Sequence, residues 1–282
     1  MEKYRNLKFA LNEAQINGEI EKILAEPLSA AERTGILKQL LNSIDNTTLE
    51  GLDTAERVKG LCDKSKKFCN ENLKPVAAVC VYPVFVKMVK EQLAGTGIRT
   101  ASVAGAFPAG QCPINIKISE IQYAISEGAD EIDMVISRGS FLEGNYRKVY
   151  DEIAAIRETC KNVHLKVILE TGELQTPDNI YVASKMAIDA GADFIKTSTG
   201  KVAVNATPQA AYVMLTAIAE NLKETGKMVG FKAAGGLSTI DQAVVYARLF
   251  KKIAGEKYFT NEYFRLGTSR LTEKLYNEIM GI

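Results

Sequence analysis

The sequence predicts an α/β fold, a (β/α)8 TIM barrel preceded by an N-terminal helical extension. Three observations carry that prediction. Eight short apolar runs alternate with amphipathic helical patterns, the alternation expected of a parallel sheet closed on itself. Two βα units share one plan: Glu127-Gly128-Ala129-Asp130-Glu131-Ile132-Asp133 and Ala190-Gly191-Ala192-Asp193-Phe194-Ile195-Lys196 each end a helix at glycine, turn at Ala-Asp and enter a strand. No linker rich in Pro, Gly or Ser divides the body, so it reads as one domain.

In chain order, Leu7, Leu11, Ile16, Ile20 and Leu24 recur at near-helical spacing until Pro27 breaks the run. Ser29 and Glu32 form a capping-box pattern that restarts a helix. Residues 1–40 are therefore read as the extension and 41–282 as the barrel. The expected strands are Leu41–Asp45, Val76–Val81, Arg99–Ala104, Glu131–Ile136, Leu165–Glu170, Phe194–Thr197, Val229–Lys232 and Phe264–Gly267. The expected helices between and after them include Val84–Leu93, Asn115–Glu127, Asn145–Cys160, Asp178–Asp189, Pro208–Glu224, Thr239–Ala254 and Ser269–Met280.

With 282 residues, 46% of them hydrophobic, the chain can bury a sizeable core. A formal charge of +1 supplies no basic field, so neither nucleic acid nor membrane is expected as a partner. No apolar run approaches the ~20 residues of a membrane span. The start, Met1 to Leu7, lacks a signal-peptide core. Five cysteines without paired spacing suggest free thiols, and with them a cytoplasmic location. A single histidine, His164, rules out a multi-histidine metal site, and its apolar surroundings give it a structural or surface reading.

Barrel enzymes gather chemistry at the C-terminal strand ends. Here those ends read Asp45, Cys80 with Tyr82, Phe107, Asp133, Glu170, Lys196, Lys232 and Gly267, a charged set that packing does not explain. Two strands ending in lysine suggest amine chemistry. An ordinary lysine, with pKa ~10.4, is neutral in about one molecule in a few thousand at pH 7. Two ammonium groups ~4 Å apart at an effective dielectric of ~20 repel by about 4 kcal/mol, roughly three pKa units, so one of Lys196 and Lys232 could hold the other near neutrality. The competing reading places both lysines in structural ion pairs with Asp133 and Glu170. Asp133 faces the same side as Glu131, as a proton shuttle or as an ion-pair partner. The loops Thr197-Ser198-Thr199-Gly200-Lys201, Ala233-Ala234-Gly235-Gly236 and Gly267-Thr268-Ser269 offer hydroxyls, bare backbone and a cation, which suits a phosphate, although glycine pairs also make plain turns. Thr199, Gly267 and Lys166 join the substrate-contact candidates. Lys166 and Glu170, four apart in one expected strand, should pair. Cys80 reads as an apolar filler or a thiol lining the pocket.

Phe194–Lys201, Gly230–Gly236, Glu131–Val135, Lys166–Glu173 (K-V-I-L-E-T-G-E) and Val202–Pro208 together closely resemble the deoxyribose-phosphate aldolase family, from about Leu41 to the end. The resemblance implies a class I aldolase that cleaves 2-deoxy-D-ribose 5-phosphate reversibly to D-glyceraldehyde 3-phosphate and acetaldehyde, with no cofactor or metal. By motif, it implies that Lys196 is the Schiff-base lysine, Lys232 the lysine that perturbs it and Asp133 part of the proton relay. It further implies that Gly200, Lys201, Gly235, Gly236 and Ser269 hold phosphate, and that Thr48 and Cys80 line the pocket. Departures are Ala233 where the family often has proline, Arg270 where it often has serine, the extra N-terminal residues, and an ending Met280-Gly281-Ile282 without the tyrosine some members use, so no catalytic tail is assigned. A sugar-phosphate isomerase, a transaldolase-like enzyme or a non-catalytic sugar-phosphate-binding barrel are the alternatives. The sequence leaves open whether the chain forms a homo-oligomer.

Overall fold

A computed structural model describes residues 1–282. Three helices come first, α1 (Glu2–Arg5), α2 (Glu13–Ala25) and α3 (Ala30–Asn42). The barrel then runs β1 (Ile44–Thr47), α4 (Ala55–Lys67), β2 (Ala78–Val81), α5 (Val86–Gln92), β3 (Arg99–Ala104), α6 (Ile114–Ser126) and β4 (Glu131–Val135). It continues through α7 (Arg138–Leu142), α8 (Tyr146–Cys160), β5 (His164–Ile168), α9 (Thr171–Leu174), α10 (Pro177–Asp189) and β6 (Phe194–Lys196). The last elements are α11 (Pro208–Thr225), β7 (Gly230–Ala234), α12 (Ile240–Phe250), β8 (Phe264–Thr268) and α13 (Thr272–Met280). The eight strands pair in parallel, each with the next, and β8 returns to β1. The architecture is the (β/α)8 barrel expected from the alternation.

Period-2 alternation splits each strand between two environments. Ile132 and Met134 of β4, Phe231 of β7, and Phe264 and Leu266 of β8 belong to the large core between sheet and helices. There Phe250 of α12 packs edge-on against Phe264, with ring centroids 5.2 Å apart. The intervening residues point into the barrel. On β2 and β3 these are Ala78, Cys80, Ala101 and Val103, a separate small apolar cluster, with Arg99 at the start of β3. On the other strands they include Asp45, Glu131, Asp133, Lys166, Lys196, Lys232 and Arg265.

The N-terminal helices are tied to the barrel's outer layer. Asn12 caps α2 and Ser29 caps α3, each in a complete capping box. Buried Ile16, Ile20 and Ile23 of α2 and Leu37, Leu40 and Leu41 of α3 share one core with the barrel helices. α2 packs on α11 and α12, and α3 on α12 and α13. Arg248 of α12 donates to the carbonyls of Ile23 at 2.7 Å and Leu24 at 3.0 Å, covering the open end of α2.

Three expectations need correction. The first strand is Ile44–Thr47, not Leu41–Asp45, because Leu41 closes the last turn of α3. The helical pattern does not extend over Leu7 and Leu11, since Asn12 starts the helix only at Glu13. Finally, β5 stops at Ile168, two residues before Glu170. All five cysteines are unpaired, and no helix is long and apolar enough to cross a membrane. His164 opens β5, at the end of the barrel away from the strand-end lysines.

Candidate active site

Inward-facing positions of six strands assemble one buried charge cluster. β1 supplies Asp45, β4 Glu131 and Asp133, β5 Lys166, β6 Lys196, β7 Lys232 and β8 Arg265. The strand register sets them side by side: Asp133 lies opposite Lys166, Lys196 opposite Lys232, and Lys232 opposite Arg265. Asp133 is the hub. Its Oδ2 accepts from Lys196 Nζ at 2.8 Å and from Lys232 Nζ at 2.7 Å, and its Oδ1 accepts from Lys166 Nζ at 2.9 Å. Lys232 also donates to Asp45 Oδ2 at 2.5 Å. Arg265 donates to Asp45 at 2.6 Å and to Glu131 at 2.8 Å, and Lys166 donates to Glu131 as well. Arg99, part-exposed at the far end, reaches Glu131 at 3.0 Å and is shared with Glu262.

Within the closed set, four cations face three carboxylates, so full ionisation leaves one positive charge in excess. Burial makes that excess costly. Lys196 is the cation placed to give it up. It touches one carboxylate oxygen, which it shares with Lys232, whereas Lys232 and Arg265 each touch two carboxylates and Lys166 three. It is also the only one of the four with any exposure, 3%, and it lines the open cavity above. Its pKa is lowered, first by burial; Asp133 works against this and Lys232 adds to it. Lys232 moves the other way: burial alone would lower it, but Asp133 and Asp45 raise it. For Asp133, burial is outweighed by Lys166, Lys196 and Lys232, which hold it well below the usual carboxylate range.

This corrects the electrostatic expectation. A second ammonium alone does not neutralise Lys196, because Asp133 sits at hydrogen-bond distance from both and attracts more strongly than the more distant Lys232 repels. Burial comes first and the neighbouring charge assists.

Above the cluster, the loops after β1, β6, β7 and β8 enclose a cavity of ≈320 Å³. Gly200, Gly235 and Gly236 have φ of +83°, +84° and +72°, backbone that favours glycine. A side chain at Gly235 would also strike Asn205, whose Oδ1 would lie 2.4 Å from the added carbon. At Gly267 an added carbon would come within 3.2 Å of Lys232 Cε, so that glycine protects the lysine's position. Lys201, Arg57 and Arg270 bring positive charge to the wall, and Ser238 and Ser269 bring hydroxyls.

Of the substrate-contact candidates, Thr48, Thr199, Gly200, Lys201, Gly235, Gly236, Gly267 and Ser269 line this cavity together with Lys196. Lys166 and Cys80 do not. Lys166 is fully buried beneath, held by three carboxylates. Cys80 belongs to the apolar cluster of β2 and β3, where burial pushes its thiol up to about 11. Lys166 does not pair with Glu170, because the chain turns at Glu170 with φ +58° and takes that carboxylate to the mouth. There Glu170 accepts from Thr199 Oγ1 at 2.5 Å, Thr199 N at 3.1 Å and Arg138 at 2.9 Å. The same turn brings Gly172 against Val204 so closely that an added carbon would overlap its carbonyl oxygen, which accounts for the glycine of E-T-G-E.

Arg265 and Arg138 were not singled out from the sequence. The alternation Phe264-Arg265-Leu266-Gly267 held the signal for Arg265, placing it on the inward face shared with Gly267. Nothing local in the sequence marks Arg138.

Known proteins share much of this sequence and its fold. Residues 40–256 match the model of the DeoC/LacD family aldolases. The chain is 41% identical to deoxyribose-phosphate aldolase of Bos taurus, over 96% of this chain and 90% of that one. It is 43% identical to deoxyribose-phosphate aldolase of Homo sapiens, over 86% and 80%. Among solved structures, the tetrameric deoxyribose phosphate aldolase of Aeropyrum pernix aligns with a TM-score of 0.68 at 25% identity, over 90% of this chain and all of that one. The matched segment contains the strands bearing Asp133, Lys196 and Lys232, and on these findings the chain belongs to the DeoC/LacD family of aldolases.

Proposed function

We infer that the protein is a class I aldolase that cleaves 2-deoxy-D-ribose 5-phosphate reversibly to D-glyceraldehyde 3-phosphate and acetaldehyde, with Lys196 as the Schiff-base lysine. The observation that carries this reading is the asymmetry of the cluster: one lysine is under-paired and opens to the cavity, and a shared carboxylate joins it to a fully paired second lysine.

Neutral Lys196 Nζ attacks C1 of the open-chain sugar, and the carbinolamine loses water to give an iminium. The iminium accepts the electron pair of the C2–C3 bond. A two-carbon product fixes the scission there, not at C3–C4. As that bond breaks, the C3 hydroxyl loses its proton, C3 becomes the aldehyde of the three-carbon product, and an enamine remains on Lys196. Protonation of the enamine at C2 and hydrolysis of the resulting iminium release acetaldehyde. Asp133 and Lys232, joined at 2.7 Å, are the groups we assign to moving these protons, directly or through water. Gly200, Gly235, Gly236, Lys201 and Ser269 are assigned to the phosphate. Gripping that remote group orients the reacting carbons.

Borohydride reduction in the presence of the sugar phosphate, followed by peptide mass mapping, tests this reading. An adduct on Lys196, absent in Lys196→Ala along with turnover, is the expected result. Phosphate binding without an adduct would sink it. The tetrameric Aeropyrum relative favours a homo-oligomer here, and five free thiols favour a reducing, cytoplasmic setting.

A further inference from the structure

The cavity wall that is otherwise rich in cations carries one carboxylate, Glu50. Its Oε1 accepts from Lys201 Nζ at 2.9 Å, across the mouth from the β1 loop to the β6 loop. That ammonium makes no other hydrogen bond or ion pair in the structure. Glu50 does not hold its own loop together. The loop is closed on Asp53, which accepts from Glu50 N at 2.9 Å and Thr48 Oγ1 at 2.7 Å and pairs with Arg57 at 3.2 Å. The Glu50 side chain therefore reaches from a fixed base to the cation of the anion subsite and serves no visible structural purpose there.

We propose that Glu50 is a specificity-determining residue: a built-in carboxylate competitor that occupies Lys201 until a phosphate displaces it, and so sets the affinity for phosphorylated substrate. The proposal rests on the assignment of this cavity to a sugar phosphate. A phosphate dianion carries more charge than a carboxylate and also finds the backbone N–H groups of the glycine loops, so it can win the exchange. A ligand bearing a single carboxylate would replace Glu50 with its own equivalent and gain little. The subsite is thereby biased toward dianions and against weaker anions. The Glu50 side chain is 56% exposed and that of Lys201 27% exposed, so the competing pair is screened and weak, and its effect on affinity is graded.

The test is the Glu50→Gln variant, which keeps the shape and removes the charge. Expected is a KM for deoxyribose 5-phosphate lowered by about two- to fivefold, the range a screened ion pair can supply, with a smaller change for unphosphorylated 2-deoxyribose. Inhibition by inorganic phosphate should strengthen in parallel. In a Lys201→Gln background the same substitution should have no effect on phosphate affinity, because the competition is for that ammonium. An unaltered or raised KM for the phosphorylated sugar in Glu50→Gln would overturn the proposal, as would an equal effect with and without Lys201. Calorimetric titration of inorganic phosphate into both proteins separates the two readings. If the sugar phosphate is not cleaved at all, tighter phosphate binding by Glu50→Gln still supports the competitor, and unchanged binding refutes it.

Discussion

Replacing Lys232 with methionine removes one charge from the cluster while nearly keeping its volume. In the native protein the four cations exceed the three carboxylates by one, and Lys196 is the group placed to lose a proton. In Lys232→Met three cations face three carboxylates, so a protonated Lys196 now balances the set. Asp133 also loses its second lysine on Oδ2 and serves Lys196 alone there. Taking the two ammonium groups as ~5 Å apart at an effective dielectric of ~20, the lost repulsion is about 3 kcal/mol, or about two pKa units. With Lys196 as the proposed nucleophile, the free-enzyme rate follows its neutral fraction, so the limb of kcat/KM that rises with pH should move about two units upward. At neutral pH the variant should be slower by roughly 100-fold. Asp45 keeps Arg265 at 2.6 Å and Lys166 at 3.4 Å, so the fold should survive, which circular dichroism checks. A pH–rate profile whose rising limb stays in place in a folded variant would refute the coupling between these lysines.

Two further outcomes follow from the same geometry. Glu170→Gln, which weakens the hold on Thr199 and opposes an amide to Arg138, should raise the KM for the phosphorylated sugar by about tenfold, given the worth of charged hydrogen bonds, and change kcat less; an unaltered KM would show that the loop holds its shape alone. Asp45, Glu131 and Asp133 all have lowered pKa values, because nearby Lys and Arg charges outweigh burial. Their stabilisation is therefore complete above the unfolded carboxylate range near ~4 and is lost as pH falls toward the folded values, so acid unfolding followed by circular dichroism should begin below about pH 4.

Much of the barrel was legible because strand and helix periods differ and the glycines punctuate them. The second to eighth strands lie where the apolar runs put them, most within a residue or two at each end. The first does not, since a short apolar stretch such as Leu40-Leu41 fits a buried helix turn as well as a strand. α4 went unrecognised because its apolar stripe is thin: only Val58, Cys62 and Ser65 are buried in a segment otherwise full of charge. Lys196, Lys232 and Asp133 were visible as charges at the ends of apolar strands, where packing offers no reason for them. The pairing of Lys166 with Glu170 failed because spacing within a strand means nothing once the strand has ended. The depth of the network, with Asp45 and Arg265 completing it, arises from stagger between strands distant in sequence, and no local pattern encodes that.

The barrel interior is lopsided. Every fully buried charge in it comes from β1 and from β4 through β8, while β2 and β3, apart from part-exposed Arg99 at the far end, contribute only Ala78, Cys80, Ala101 and Val103. These small side chains are fully buried, and none of them accepts or donates a bond on which the lysines depend. An engineer can therefore alter the volume of that half of the interior and leave the ionic half, and the chemistry it supports, as nature arranged it.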